Sequence, residues 1–441
     1  MSRHHAGDRG DHATNEPVFL IVGCGSRAYR EYLLASIADG RALWLLDRHA
    51  PDWAEPYLAG STVLDVHDEV ALQAAARDVA AHRPVAGLIC YGEMLIAAAA
   101  GAAASLGLAG MTADAARTCR DKNLTRRILT GAGIAQPRSL AAASLGEARA
   151  AADRIGYPVV VKPRGLGSSW GVIRVDRAED MEWTFAAASG VDDAIANYQR
   201  GVLVEEMLDG PEISVDGLVS GGEYRIMYVA HKELGPAPFF AEIGHVLIAD
   251  DPLLTDASLP ALLEDAHRAL GIDHAITHSE VRFTPRGPRI VEVNGRLGGD
   301  LIPYLGWMTS GIDPGEAAVG VAAGAGADAI LRAAGPSGRR DERRGRPACA
   351  GIRFAHPAAD CRVTEVRVPA PDDTIGLLES VVVCAPGTEI RLPPNGWQFR
   401  CAFVICEADG ADACRARLDA AEYRVEIASQ PLSPLPAANA R

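Results

Sequence analysis

Aromatic side chains are scarce in this sequence: Phe, Trp and Tyr make up 5% of 441 residues, although hydrophobic residues together reach 48%. The core must therefore be aliphatic, with alanine and glycine between the larger side chains. A surplus of positive charge is also missing. Lys and Arg number 43 against 57 Asp and Glu, a formal net charge of −14, which disfavours a nucleic-acid backbone as main partner. A polyanion can still bind where cations gather in one cleft. No strongly apolar run of membrane-spanning length occurs. Residues 94–111 carry no charge but are mostly Ala and Gly, which add little to membrane transfer; they read as a buried helix broken near Gly107. The nine cysteines are odd in number and contain no CxxC pair, which fits reduced thiols in a cytoplasmic protein. Residues 1–17 lack an apolar segment and read as a disordered leader rather than a signal peptide, with His4, His5 and His12 in a solvated tail. No fixed-period repeat is present. At 23% charged residues the chain has an ordinary globular composition.

What is present begins with an apolar run at 18–22, then Gly23-Cys24-Gly25-Ser26, a helical stretch, and a second strand ending at Asp47. This β-loop-α-β opening predicts an α/β domain over 18–115. Gly23, Gly25 and Ala28 sketch a dinucleotide fingerprint with Asp47 near the ribose position. The same glycines are equally explained by a turn that fits a helix against a sheet. Residues 121–131 read as a helix closed by Gly131 and Gly133. A strand at 157–162, a glycine-rich loop at 164–171 and a strand at 172–175 follow. Residues 331–347, rich in Arg, Gly and acids, read as an exposed linker, and 348–430 as a small α+β unit with a helix at 411–421.

Three segments carry chemistry. In the first, Lys162 and Arg164 precede Gly165, Gly167, Ser168 and Ser169. Such a loop lets backbone N–H groups approach an anion beside full positive charges. A Walker loop would put its Lys after the glycines and open a helix; here the Lys comes first and a strand follows. The loop therefore sits at a hairpin tip, where it could fold over phosphates or be an ordinary flexible turn. In the second, Glu205, Glu206, Met207 and Leu208 end a strand, and Glu212 follows a tight turn. Apolar residues at that hinge can sandwich a purine, and Glu212 is placed for ribose hydroxyls.

The third is a hairpin. Residues 278–283 and 289–294 flank Thr284-Pro285-Arg286-Gly287-Pro288. With the turn centred on Arg286, Glu280 faces Glu292, and Asn294 lies on the same face. Two opposed carboxylates repel unless a cation sits between them, and an oxygen-only set suits Mg²⁺. A slip of register would undo this. Arg296, Gly298 and Gly299 follow directly as a second cationic, glycine-rich anion site.

Taken in order, these features resemble the ATP-grasp superfamily over about 115–325. The resemblance implies a Rossmann-like N-terminal domain, an ATP-grasp fold over 116–330 with a lid at about 150–208, and the small C-terminal unit. It implies that Lys122 and Lys162 hold ATP phosphates and that loop 165–171 covers them. Residues 205–208 would contact adenine and Glu212 the ribose, while Glu280, Glu292 and Asn294 would bind two Mg²⁺, for which Mn²⁺ can substitute. The run Glu292-Val-Asn294-Gly-Arg296-Leu-Gly298-Gly299 and the upstream Glu242-x-x-His245 look like the L-amino-acid ligases, a dipeptide-forming branch. That implies Glu242 at the substrate amine, Gly298 and Gly299 at substrate, and His245 and Arg296 near the reacting groups. The expected activity is ADP-forming ligation of a small-molecule carboxylate to an amine, without nucleic acid or membrane; a homodimer is compatible with it. An ATP-grasp carboxylase or a ligase with a non-amine acceptor is the rival within the superfamily. A dinucleotide-binding oxidoreductase is the rival from another class.

Overall fold

The computed structural model describes residues 16–191, 201–235, 237–335 and 345–433. Apart from Glu16 and Pro17, the expected leader lies outside them. The five apolar residues of β1 (Val18–Val22) are all buried, as befits a central strand covered on both faces. With β2 (Ala42–Asp47), β3 (Gly60–Val63) and β4 (Val85–Ile89) it makes a parallel sheet in the order β3-β2-β1-β4. Gly23 and Gly25 take left-handed φ of 71° and 70°. Between them the Cys24 N–H donates to Asp47 Oδ2 at 2.9 Å. The acid expected at a ribose instead closes the glycine turn. The uncharged stretch forms the helix Ile96–Ser105, and Gly107 at φ 69° follows it. Among the described residues no helix is long and apolar enough to cross a membrane.

A small antiparallel sheet comes next, in the order β5-β8-β6-β7: β5 (Ser139–Ala142), β6 (Val159–Pro163), β7 (Ile173–Val175) and β8 (Val202–Glu206). Val159, Val161, Val202 and Val204 form its core with Ala148, Ala152 and Ile155 of the helix Leu145–Ile155. The unit begins earlier than the expected 150, because β5, Ser-Leu-Ala-Ala, has no β-branched or aromatic residue to mark it as a strand. The glycine loop joins β6 to β7 at a hairpin tip.

The central sheet has eight strands in the order β13-β12-β9-β10-β11-β14-β18-β16. Its members are β9 (Glu212–Ser220), β10 (Glu223–Leu234), β11 (Glu242–Ile248), β12 (His274–Thr284), β13 (Gly287–Asn294), β14 (Cys349–Ala355), β16 (Leu377–Val382) and β18 (Ala402–Ala408). Three strands from the C-terminal part thus continue the central sheet instead of forming a separate layer. Pairing of β14 with β11 spans about a hundred residues of sequence, which strand-local patterns cannot reveal. The others, β15 (Cys361–Arg367), β17 (Glu389–Ile390) and β19 (Glu426–Pro431), make a three-stranded sheet. The helix Ala327–Ala334 runs into the expected linker, with Ile330 buried against Gly320; residues 336–344 of that linker lie outside the described set. One apolar cluster joins Phe19 and Ile21 of β1 to Leu305 and Phe354, so the N-terminal sheet is packed onto the central one. All nine cysteines are free, six of them buried.

Candidate functional site

The hairpin β12–β13 turns at Pro285-Arg286, with Thr284 paired to Gly287 and Arg282 to Arg289. That register alone would place Glu280 opposite Val291. A bulge at Val291 shifts it by one, and Glu280 pairs with Glu292, His278 with Asn294. The opposed carboxylates are therefore present, made by a bulge rather than by a turn centred on Arg286. Glu280 Oε1 receives Lys232 Nζ at 2.7 Å and Glu292 Oε1 receives Lys122 Nζ at 3.1 Å. Asn294 is buried and its Oδ1 has no hydrogen-bond partner. Two carboxylates and an orphaned amide oxygen are hard donors of the kind Mg²⁺ takes, so the residues fit that ion.

Lys232 on β10 was not singled out by sequence. Its Nζ lies 2.7 Å from Glu212, 2.8 Å from Glu242 and 2.7 Å from Glu280, and the side chain is 2% exposed. Burial alone would strip its proton, but the three carboxylates hold its pKa well above the usual value. Sequence could not place it: the turn at Gly221-Gly222 alone would set Lys232 opposite Pro211, and a bulge at Met227 shifts the register so that it comes to Glu212. Burial raises Glu242, Lys232 opposes this, and Asp300 and Glu280 add to it, leaving the carboxyl above its ordinary range.

Lys162, next to last in β6, is buried, its Nζ 2.7 Å from Glu205 Oε2. Arg126, from the helix Lys122–Gly131, holds the other oxygen at 2.7 Å. Burial works against the Glu205 charge, but Arg126 and Lys162 bring its pKa down to about 2. Glu206 turns to Arg286 and accepts the Arg138 N–H at 3.2 Å. Both acids expected to face adenine thus hold cations, because each strand-end carboxylate has an Arg or Lys within reach; Arg126, 79 residues from Glu205 in sequence, leaves no local sign of the pairing. Glu212 accepts from Arg282 Nε at 2.7 Å in addition to Lys232. In the loop, the Gly165 carbonyl accepts from Arg120 at 2.8 Å and the Leu166 carbonyl from Lys122 Nζ at 2.5 Å. Ser168 and Ser169 both sit at φ 56°, sparsely populated for non-glycine residues.

Lys122, Lys162, Gly167, Ser168, Ser169 and Glu205 line one cavity together with Glu206, Met207, Leu208 and Glu212. Glu242, Glu280, Glu292, Asn294 and Arg296 complete its polar wall, and Val160, Phe240 and Val291 add apolar surface. Gly165 and Gly298 lie outside it. The Gly298 N–H donates to buried Asp216 at 3.0 Å, and a Cβ there would meet Asp216 and His278 at 3.0 Å; close packing accounts for the glycine. Asp216 also lies 2.6 Å from His278 Nδ1. Burial would lower the imidazole, but Asp216 pushes it up to about 9. Arg296 gives its Nε to Glu93, and Arg120 approaches the same acid. Burial opposes ionisation of Glu93, yet Arg296 and Arg120 bring it down to about 2. Glu93 stands just after β4, too far in sequence to be paired with Arg296 by pattern.

A second cavity meets the first at Ser168, Ser169 and Glu242, and Gly299 lines it. His245 lines neither. It is fully buried, 3.2 Å from Asp300 Oδ2 and 3.7 Å from Glu242 Oε2, with Phe354 edge-on to its ring. It stands behind the acids rather than at reacting groups: the bulge at Ile243 puts Glu242 and His245, three residues apart, on one face of β11, and the imidazole packs beneath both carboxylates. The Asp300 carboxylate is held by Arg400 at 2.5 and 2.8 Å.

Residues 155–304 match the ATP-grasp domain model. The chain is 28% identical over 235 residues to the alanine–anticapsin ligase of Bacillus subtilis (strain 168), covering 48% of this chain and 49% of that protein. It is 30% identical over 251 residues to the phosphoribosylamine–glycine ligase of Streptomyces coelicolor, covering 54% and 58%. The chain spans about half the length of the curated relatives it matches. Among solved structures, an L-amino acid ligase from Bacillus licheniformis superposes with a TM-score of 0.75 at 21% identity, over 94% of this chain and 99% of that one. That likeness is one of fold. The chain carries an ATP-grasp domain, within an overall fold shared with the L-amino acid ligase structure.

Proposed function

We propose that the protein is an ATP-dependent carboxylate–amine ligase that joins an amino acid or similar carboxylate to an amine, with release of ADP and phosphate. The observation that carries this is the bulged pair Glu280–Glu292 with the orphaned Asn294 oxygen, facing Lys162 and the glycine loop across one cavity. The apolar surface of Val160, Met207, Leu208 and Phe240 suits a purine, and Glu212 suits its ribose. Lys122 and Lys162 would hold phosphates, under Gly167, Ser168 and Ser169. Glu280, Glu292 and Asn294 would hold Mg²⁺, or Mn²⁺ in its place, which when bound neutralises phosphate oxygens.

The chemistry then follows from charge. Attack of a substrate carboxylate on the terminal phosphate forms an acyl phosphate and releases ADP; the amine attacks its carbonyl carbon, and phosphate leaves. Phosphoryl transfer needs positioning and charge neutralisation rather than covalent help from the protein. Arg296, held in place by Glu93, brings a planar fork to that region. Glu242 stands where the two cavities meet, and burial makes its carboxyl less acidic, so it can orient an amine and take its hydrogen bond. Closure of the loop excludes water from the acyl phosphate. The Asp47–Cys24 contact accounts for the glycine turn without a dinucleotide.

ADP release should be measured across a panel of amino acids, singly and in pairs, with products read by mass. A new amide paired one-to-one with ADP is expected; bicarbonate-dependent carboxylation without amide would refute the reading. Arg296→Lys should keep nucleotide binding while kcat and kcat/KM fall together. Ligation within about twofold of wild type, on the order of 0.4 kcal/mol in barrier, would show that Arg296 only braces Glu93.

A further inference from the structure

The second cavity has ≈ 670 Å³ of space, and its wall carries charges of both signs. Glu242 is shared with the first cavity, whereas Arg30, from the first helix of the N-terminal domain, lines the second alone. Arg296 shows the opposite placement, lining the first cavity and not the second. Two cationic side chains able to fork a carboxylate thus belong to different spaces. Their surroundings differ as well. Arg296 is bound to Glu93, and Arg400, the other arginine of the second cavity, is bound twice to Asp300. Arg30 has no carboxylate partner among the described residues. Its guanidinium rests over the ring of buried Tyr91, 5.2 Å from the centroid, which holds it in place without neutralising it. A half-buried arginine facing a cavity without a counter-charge is set for an anion brought by a ligand.

The wall mixes polar and apolar groups, and it includes large aromatics in a chain with 5% aromatics. Trp170 comes from the glycine loop, while Trp397 and Phe399 come from the C-terminal part, with Trp397 edge-on to Phe239 at 5.8 Å. Ile390 and Leu301 extend this surface. The volume and these side chains suit a large apolar group rather than a hydrogen atom or a methyl.

Building on the ligase reading above, we propose that the second cavity takes the amine-donating substrate as an α-amino acid with a free carboxylate and a large apolar side chain. Its amine lies toward Glu242, its carboxylate is bound by Arg30, and its side chain rests against Trp170, Trp397 and Phe399. That carboxylate is the one that remains free in the product, since the carboxylate to be phosphorylated must lie in the first cavity, beside the glycine loop.

The test uses the full chain with ATP, Mg²⁺ and one fixed acyl substrate, and compares phenylalanine with phenylalanine amide as amine donors. In Arg30→Gln the KM for phenylalanine should rise at least about tenfold, the loss of one charge-assisted hydrogen bond. The KM for the amide should move by less than about twofold, and kcat should hold. Arg30→Lys, which keeps the charge and the fold, should fall between. Equal losses for acid and amide, or a rise only in the KM of the acyl substrate, would overturn the assignment. So would a wild-type preference for alanine over phenylalanine as donor. Should wild type form no amide with any donor, the ligase reading itself fails. Arg30 is then tested by calorimetric binding of phenylalanine to wild type and Arg30→Gln, both loaded with a non-hydrolysable ATP analogue; equal affinity would overturn the site.

Discussion

Replacing Lys232 by methionine keeps most of the side-chain volume and removes one buried charge. Three carboxylates, Glu212, Glu242 and Glu280, then lose their cation at 2.7–2.8 Å. Glu212 keeps Arg282 at 2.7 Å, whereas Glu280 and Glu242 keep only the imidazoles of His278 at 3.9 Å and His245 at 3.7 Å. Removing one partner of a buried ion pair costs about 3–5 kcal/mol. With one of the three acids still paired, a loss of about 3 kcal/mol is expected in chelator-treated buffer. The pH dependence supplies a second check. In wild type, burial opposes the Glu280 charge but Lys232 and His278 hold its pKa well below the usual carboxylate range. That contribution is present above the unfolded pKa and is lost as pH falls through the folded one. In Lys232→Met the unpaired acids should titrate above their unfolded values, so the folded state gains protons first. The variant should then recover stability relative to wild type as pH falls from 7 toward about 5. Thermal unfolding across that range reads both effects. A variant within about 0.5 kcal/mol of wild type, with the same pH slope, would refute the view of Lys232 as the pin of the acidic cluster.

Glu280→Gln and Glu292→Gln should each abolish ADP production with the fold intact by circular dichroism; near-wild-type turnover from either would remove the metal assignment. Amide hydrogen exchange across residues 164–171 should slow on addition of an ATP analogue with Mg²⁺, since a glycine- and serine-rich loop gains order from the anion it covers; unchanged exchange argues against a phosphate cover. His267 is buried and stacked on Tyr224 at 4.5 Å, and burial brings its pKa down to about 4, against which the Leu263 carbonyl works weakly. A folded pKa below the unfolded one means stability is lost as pH falls from about 6.5 to about 4, by roughly 2 kcal/mol at about pH 5. His267→Phe should unfold in urea with that pH dependence removed, and an unchanged dependence would place its source elsewhere.

Local patterns carried the sequence reading as far as each strand or loop extends. The buried run Val18–Val22, the glycine loop after Lys162, and the helix Ala411–Glu422 are written in residue order, and they stand in the structure close to where periodicity puts them. The pairing of Glu280 with Glu292 was inferred from a turn centre that is off by half a residue, and the Val291 bulge makes up the difference. Bulges leave no composition signal, so such an agreement rests on compensation. What stayed hidden is long-range charge pairing. Glu93 with Arg296, Arg126 with Glu205, and Asp300 with Arg400 join segments far apart in the sequence. Each partner reads in isolation as a solvated charge. His245 shows the same dependence on a bulge: strict alternation would put it on the face opposite Glu242, and the bulge at Ile243 brings the two together.

The charge balance of the first cavity bears on how an acidic chain could hold a polyanion at all. Six carboxylates line it, from Glu205, Glu206, Glu212, Glu242, Glu280 and Glu292, against four cations, Lys122, Lys162, Arg282 and Arg296. Every one of those acids already has a lysine or arginine beside it. The site therefore offers no excess positive charge to a nucleotide carrying about four negative charges. Such a ligand must bring its own divalent cations, and these in turn must displace Lys122 from Glu292, freeing its ammonium group to turn toward phosphate oxygens, while Lys232 stays with Glu212 and Glu242. Nucleotide and metal should accordingly bind as a unit. Calorimetry of ATP binding should show affinity falling at least about tenfold when EDTA replaces Mg²⁺, the equivalent of about 1.4 kcal/mol. ATP bound equally well without a divalent ion would mean that Lys122 and Lys162 suffice, and that Glu280 and Glu292 serve only to hold the lysines in place.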